Sequence, residues 1–351
     1  MWAACSDLRA GRGGGPVVVV GAGIVGASVT YHLARCGAPV TLIDRRAAPA
    51  TGVTGGSFAW LGGWGGDWPG GAEDLRGSVL ADYRRLEAEL PDVAVRWSGS
   101  LTWDGTPVGP DLGEGRFRVG ADEIRRMEPG LRVPPDRAVH TPSDGGVDPV
   151  AVTGALVRAA RALGAQVVLG AAGVALKITG SGVTGVTSSA GFHPASTVVL
   201  AAGTAVPEMV VPLGVELPIG SSPASLVRLA APPRLVRTIV AGPDFEVREG
   251  REGQLLMTVP RPSDGGTALS RLQAAFRGAD GCRVLDSRVS ARPLPADGPL
   301  LGPLIPGGSV YVAVLHSAVT LAPTVGRLVA RELVTGEAAA ELRRCRPRSA
   351  A

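Results

Sequence analysis

Residues Pro16 to Asp44, PVVVVGAGIVGASVTYHLARCGAPVTLID, constrain the fold more than any other stretch of the chain. Val17 to Val20 is a run of β-branched residues without polar alternation, as expected of a strand buried on both faces. It leads into Gly21-Ala22-Gly23-Ile24-Val25-Gly26. From Ile24 to Cys36 the apolar spacing is helical, and Gly37 stands where a left-handed C-terminal cap belongs. Val40 to Ile43 reads as a second buried strand, ending at Asp44. Here each glycine has its own task. Gly21 permits the tight turn, Gly23 lets the backbone approach a pyrophosphate, and Gly26 lets helix and strand pack closely. The helix start offers free N–H groups and about half a positive charge to phosphates. Asp44, about 20 residues on, is placed to accept both ribose hydroxyls. The segment predicts a bound dinucleotide and does not separate NAD from FAD.

With 351 residues the chain is long enough for two domains. Its apolar runs are broken by Gly, Pro or charge well short of the ~20 residues of a membrane-spanning helix, so no span is expected. The net charge of +4 rests almost wholly on arginine, Lys177 being the only lysine. No basic cluster with interleaved aromatics is present, and nucleic acid is not an expected partner. Cys5, Cys36, Cys282 and Cys345 lack metal-binding spacing and read as free thiols of a cytoplasmic protein. His32, His140, His193 and His316 form no ligand set, so no metal is expected.

Residues 1–15 end in GRGGG and read as an unstructured extension. After Asp44 and Arg45-Arg46, the small residues Thr54, Gly55, Gly56 and Ser57 suit a loop whose backbone crowds a ligand. Trp60, Trp64 and Trp68 follow among glycines, as core plugs or as pocket lining. Val79 to Leu90 is helical, and Val95 to Trp103 strand-like, with Leu101 to Trp103 pairing outside the nucleotide sheet. Ala121 to Glu128 is a short helix. Asp148 and Pro149 are the N-cap and first residue of a helix over Val150 to Leu163, ended by Gly164. Strands are expected at Gln166–Leu169, Gly173–Ile178, Val183–Thr187, Phe192–Thr197 and Val198–Ala201, the last closed by Ala202-Gly203. From Thr204 to Ser290 the pattern is weak. Strands at Ser225–Leu229 and Gln254–Val259 and a helix at Ser270–Phe276 are expected, with no catalytic cluster. Arg292 to Gly298 reads as a rigid turn. Val310 to Leu315 is a buried strand, followed by His316-Ser317-Ala318-Val319-Thr320-Leu321 and a helix from Pro323 to about Thr335.

Six stretches in order, GAGIVGAS…VTLID, TGGSFAW, GGVDPVAVTGALVRAARALGAQV, VVLAAGT, RPLPADGPLLGP and HSAVTLAPTVGRLVA, carry a resemblance. The chain resembles the FAD-dependent amine and amino-acid oxidoreductases related to D-amino-acid oxidase, glycine oxidase and sarcosine oxidase (the DAO family). The resemblance implies an α/β fold, a Rossmann-like FAD-binding domain interleaved with a smaller α+β substrate domain on a mixed sheet. The FAD domain would comprise 16–90, 141–205 and 293–345; the substrate domain, 91–140 and 206–292. On the family pattern Gly21, Ala22, Gly23, Ile24, Val25 and Gly26 hold the pyrophosphate, Asp44 the ribose, and Arg45 flanks the adenine. Thr54, Gly55 and Ser57 lie near phosphates and flavin, Val174 meets the adenine, and Ala202 and Gly203 lie beside the cofactor. Ser317, Ala318, Thr320 and Leu321 present backbone N–H groups to the flavin pyrimidine, where a helix end stabilises negative charge. Arg292 and His316 are the candidate catalytic residues, Arg292 as the clamp for a substrate carboxylate.

The sequence departs from the family in five ways, the first being a substrate region shorter than in the usual oxidases. Leu315 stands where a glycine is common, and Tyr31, Tyr83 and Tyr311 are the only tyrosines, none in the substrate region. Ser290-Ala291 replaces the cysteine of members with covalent flavin, implying non-covalent FAD. Lys177 lies away from the flavin. The implied function is oxidation of a C–N bond in a small amine or amino acid, by hydride transfer to flavin N5, giving an imine. Oxygen or another acceptor would reoxidise the flavin. A nicotinamide dehydrogenase, a flavoenzyme for larger modified-base or natural-product amines, and a non-catalytic FAD-binding protein remain as alternatives.

Overall fold

In the computed structural model, Val17–Val20 lies inside a six-stranded sheet. The spatial order is Leu300–Pro303, Val310–Val314, Thr197–Leu200, Val17–Val20, Val40–Asp44, Gln166–Leu169. Every neighbouring pair is parallel except the edge pair Leu300–Pro303 and Val310–Val314. The structure describes residues 15–62, 68–103, 112–180, 182–259, 264–305 and 307–347. Cys5, Trp64 and all but Gly15 of the expected N-terminal extension lie outside them.

Both faces of this sheet are covered, which accounts for the unbroken valines. Val17 and Val19 join the apolar cluster of the helices Ile24–Arg35, Pro149–Ala162 and Ala318–Thr335. Val18 and Val20 join a second cluster, with Val186 of the antiparallel hairpins over residues 175–194 and with Val206 and Val210. Asp148 caps Pro149–Ala162, accepting from the N–H groups of Val150 and Ala151 at 3.0 and 3.1 Å. Gly37 and Gly164 take the left-handed conformation that the sequence requires after a helix.

The last helix corrects an expectation. It starts at Ala318, not at Pro323, which lies inside it. A proline there leaves the carbonyl four residues earlier without its helical N–H. That carbonyl, of Val319, instead accepts the Tyr83 hydroxyl at 2.5 Å. The helix also sits unusually close to Ile24–Arg35. The Ser28 hydroxyl donates to the Ala322 carbonyl at 2.7 Å, and a side chain at Gly326 would run into Ser28.

A second, eight-stranded sheet runs in the order Arg283–Pro295, Ile219–Ala230, Gln254–Thr258, Glu246–Arg251, Ile239–Ala241, Ser100–Thr102, Arg137–Thr141, Phe117–Gly120. Two further corrections fall here. Arg292 to Pro295 is not a turn but the end of the strand Arg283–Pro295, paired in register with Ile219–Arg228 and beyond. Its prolines are tolerated because the strand is the sheet edge. The expected helix at Ser270 begins earlier, at Gly265, behind an Asp264 N-cap that accepts from the Thr267 N–H. Cys36 is disulfide-bonded, contrary to the free-thiol expectation, whereas Cys282 and Cys345 are free and buried. Among the described residues no helix is long and apolar enough to cross a membrane, and no group of three or more metal-ligating side chains is present.

Candidate active site

The turn after Val17–Val20 is built as its glycines require. Gly21 has φ of 109°, a value side chains rarely adopt, and a Cβ there would meet the Ala201 carbonyl at 2.6 Å. A Cβ on Gly26 would collide with the Gly21 carbonyl oxygen, so Gly26 sets helix–strand contact rather than lining the cleft. Gly23 is different: its nearest neighbour would be the Thr54 hydroxyl at 3.2 Å, leaving that side of the backbone open. The Thr54 hydroxyl accepts the Ile24 N–H at 3.2 Å, at the first turn of the helix. The Asp44 carboxylate accepts from the Ala22 N–H at 2.6 Å and the Arg46 N–H at 2.7 Å, which fixes it across the mouth of the turn.

These groups border a cleft of about 400 Å³. Gly21, Ala22, Gly23, Ile24, Val25, Asp44, Arg45, Thr54, Val174, Ala202, Gly203 and Ala318 all line it. A second cavity of about 420 Å³ adjoins it, sharing Val53, Thr54, Pro293, Leu315 and Ala318 as a common wall. Ser57, Trp60, Glu246, Arg292, His316, Ser317 and Thr320 face this second space. Three expected cofactor residues line neither. Gly26 packs as described, Gly55 is buried with its carbonyl accepting from Arg228 at 2.7 Å, and Leu321 is buried in the helix core. Trp60 lines the cavity, and Trp68 packs against the core, so the two tryptophan readings divide between them.

The eight-stranded sheet explains how the second cavity is furnished. One face, carrying Val227, Leu229, Val247, Leu255 and Met257, packs into an apolar core. The register places Arg228, Arg248, Arg288 and Arg292 on the opposite face. Three of the four hold backbone carbonyls. Arg228 donates to Gly55, Arg288 to Thr51 and Gly52, and Arg248 to Phe58 at 2.8 Å and Val147 at 2.7 Å. They fasten the 51–58 segment, a wall of both spaces, to the sheet. Among the described residues Arg292 donates only to the Ser222 hydroxyl, at 3.0 Å, and its buried Nε has no partner there.

Desolvation and the Arg292 charge lower the His316 pKa, which favours the neutral imidazole. Desolvation raises the carboxyl of Glu246, and Arg292 partly opposes that rise. Behind Trp60, Asp144 accepts from the Trp60 indole N–H at 3.0 Å and the Ser100 hydroxyl at 2.7 Å. Burial pushes its carboxyl up to about 6. Sequence reasoning missed Glu246 and the three fastening arginines. The one local hint was the alternation Glu246-Val247-Arg248 at the start of that strand.

A Rossmann-type turn on a parallel sheet, opening onto a cavity walled by a mixed sheet, defines a nucleotide-dependent enzyme of two interlocked sheets. The FAD-dependent oxidoreductase (DAO) family model matches residues 16–332, and the chain belongs to that family. The uncharacterized oxidoreductase YurR of Bacillus subtilis is 26% identical over 361 residues, covering 91% of this chain and 95% of the relative. Glycine oxidase of Bacillus licheniformis is 28% identical over 204 residues, covering 53% of each. Among solved structures, glycine oxidase from Geobacillus kaustophilus has the same fold, with a TM-score of 0.85 at 22% identity over 95% of this chain and 98% of that one. Iminodiacetate oxidase from Chelativorans superposes with a TM-score of 0.79 at 23% identity, over 94% and 98% of the chains.

Proposed function

We propose that the chain oxidises a C–N bond of a small amino acid or amine held in the second cavity against FAD held in the cleft. The observation that carries this reading is Arg292. Of Arg228, Arg248, Arg288 and Arg292 it alone holds no backbone carbonyl among the described residues, and it lines a cavity that shares a wall with the nucleotide cleft. A guanidinium with a buried, unpartnered N–H is a ready partner for a substrate carboxylate. The cavity volume, about 420 Å³, suits a small substrate.

The residues of the cleft fit the cofactor. Gly23, Gly52, Gly173 and Gly203 leave the backbone open, since a Cβ at any of them would meet nothing closer than 3.2 Å. Gly21 to Val25 and the helix start would hold the pyrophosphate, Asp44 and Arg45 the adenosine end, with Val174 beside the adenine. The start of Ala318–Thr335, with Ser317 and Thr320 facing the cavity, would support the flavin end. Bound FAD supplies a two-electron hydride acceptor. The chain positions the substrate: Arg292 anchors the carboxylate, and the neutral His316 adds no competing charge. Loss of hydride from the α-carbon of a neutral amine leaves an iminium ion, which gives up an N–H proton to water to become the imine that water hydrolyses. The FAD is held without a covalent bond, because Ser290 replaces the attaching cysteine and neither free cysteine lines the site. The acceptor that regenerates oxidised FAD is oxygen or another electron carrier.

The test is anaerobic stopped-flow reduction of the purified flavoprotein by amino acids, N-methyl amino acids and carboxylate-free amines. Bleaching by carboxylate-bearing substrates, at least ~10-fold weaker in Arg292→Lys, is expected from loss of a bidentate charge-assisted bond. Equal bleaching by carboxylate-free amines in both proteins would sink the amino-acid reading.

A further inference from the structure

The cavity holds a second formal charge that the carboxylate clamp does not use. Glu246 opens the strand Glu246–Arg251 and lines the same space as Arg292, His316 and Trp60. The two charges do not form an ion pair, and the Glu246 carboxylate receives no hydrogen bond from the described protein groups. They stand on strands three steps apart in the sheet order, which is ~14 Å across the sheet at about 4.8 Å per step. Both nonetheless line one cavity, and the Arg292 charge acts on Glu246 across it. Nearby carboxylates are held. Glu249, on the other face of the same strand, accepts from Arg96, and Asp148, the cap of Pro149–Ala162, from Arg251. A carboxylate kept half-buried without a partner costs desolvation that a cationic ligand group would offset.

We infer that Glu246 reads a second, cationic nitrogen on the substrate, so that the preferred substrate is a dipolar molecule with its carboxylate at Arg292 and a basic group at Glu246. This rests on the reading of Arg292 as the carboxylate anchor. The α-amine of an amino acid sits only one carbon from its carboxylate, too near Arg292 to reach across the sheet. A basic side chain spans the distance. Glu246 is thus a specificity residue, and amino acids with a cationic side chain are the substrate class.

The test uses two probes of one shape, 4-(aminomethyl)benzoate and 4-methylbenzoate, titrated into the FAD-loaded protein and followed by flavin difference spectra and by calorimetry. The wild type should bind the cationic probe at least ~10-fold more tightly, the worth of one charge-assisted hydrogen bond. In Glu246→Gln the preference should shrink to within about twofold, and in Glu246→Lys it should turn toward terephthalate, whose second group is anionic. Equal wild-type affinity for the two probes, or a preference that survives intact in Glu246→Gln, overturns the inference while leaving the Arg292 anchor standing. If both benzoates fail to bind the wild type, or bind Arg292→Lys as tightly, the anchor itself is wrong and the inference falls with it.

Discussion

The cleft and the cavity are neighbours that share a wall, yet they are built in opposite ways. The cleft is a backbone object. Its glycine turn comes from Gly21 to Val25, the end of one strand and the start of one helix, within 28 residues of Val17 together with Asp44; strand ends and turns at Val174, Ala202-Gly203 and Ala313 to Leu315 complete it. The cavity is a side-chain object. Its charged groups, Arg292 and Glu246, come from strands brought together by long-range register, and its wall is fastened by arginines 170 to 240 residues away in sequence. A backbone site is written in local glycine spacing; a side-chain site is written in which face of a strand each residue takes.

Glycine substitutions should break the comparison most sharply. Gly26→Val would drive a side chain into the Gly21 carbonyl oxygen and should yield little folded protein. Gly23→Val, three residues earlier, meets only the Thr54 hydroxyl and should fold, as judged by circular dichroism, but purify without flavin. A yellow Gly23→Val protein would place the cofactor elsewhere.

On the cavity side, Arg248→Met should act through stability. Arg248 is 2% exposed, and its loss leaves the Phe58 and Val147 carbonyls without their donor. A cost of roughly 2–5 kcal/mol in denaturant unfolding is expected, with weaker flavin retention because the 51–58 segment loses a fastening. An unchanged midpoint would mean that the segment holds its place without the arginine.

A smaller effect is expected at Asp144, behind Trp60. Its carboxyl is raised to about 6 by burial, so the folded protein keeps a proton that the unfolded chain releases near pH 4. The folded state then binds more protons between about pH 4 and 6, and this group's contribution to stability falls as pH rises through that window. The stability difference between wild type and Asp144→Asn should decline by roughly 2–3 kcal/mol from pH 4 to 6.5 and stay level above. A difference constant with pH would show that Asp144 titrates in the fold as it does in water.

The same contrast explains what the sequence could tell. The strand, turn, helix and acid from Val17 to Asp44 were legible because each rests on neighbours in the chain, as was the Asp148-Pro149 cap. Arg292 was legible as a residue but not as a strand, since two prolines suggest a turn until an edge position makes them acceptable. Pro323 misplaced the helix start because its freed carbonyl finds the hydroxyl of Tyr83, 236 residues away in the chain. Glu246 was invisible. Nothing local distinguishes a carboxylate facing a cavity from one facing water; only the register of Glu246 with Thr258 and Ala241 puts it inside.

The most direct test of a joined cleft and cavity is a benzoate titration of the flavin-loaded wild type and Arg292→Lys, read in the visible spectrum. A carboxylate held by Arg292 beside the shared wall should shift the flavin bands of the wild type, and Arg292→Lys should need at least ~10-fold more benzoate. A flavin spectrum that benzoate leaves untouched, or shifts equally in both proteins, would contradict the claim that the two spaces form one active site.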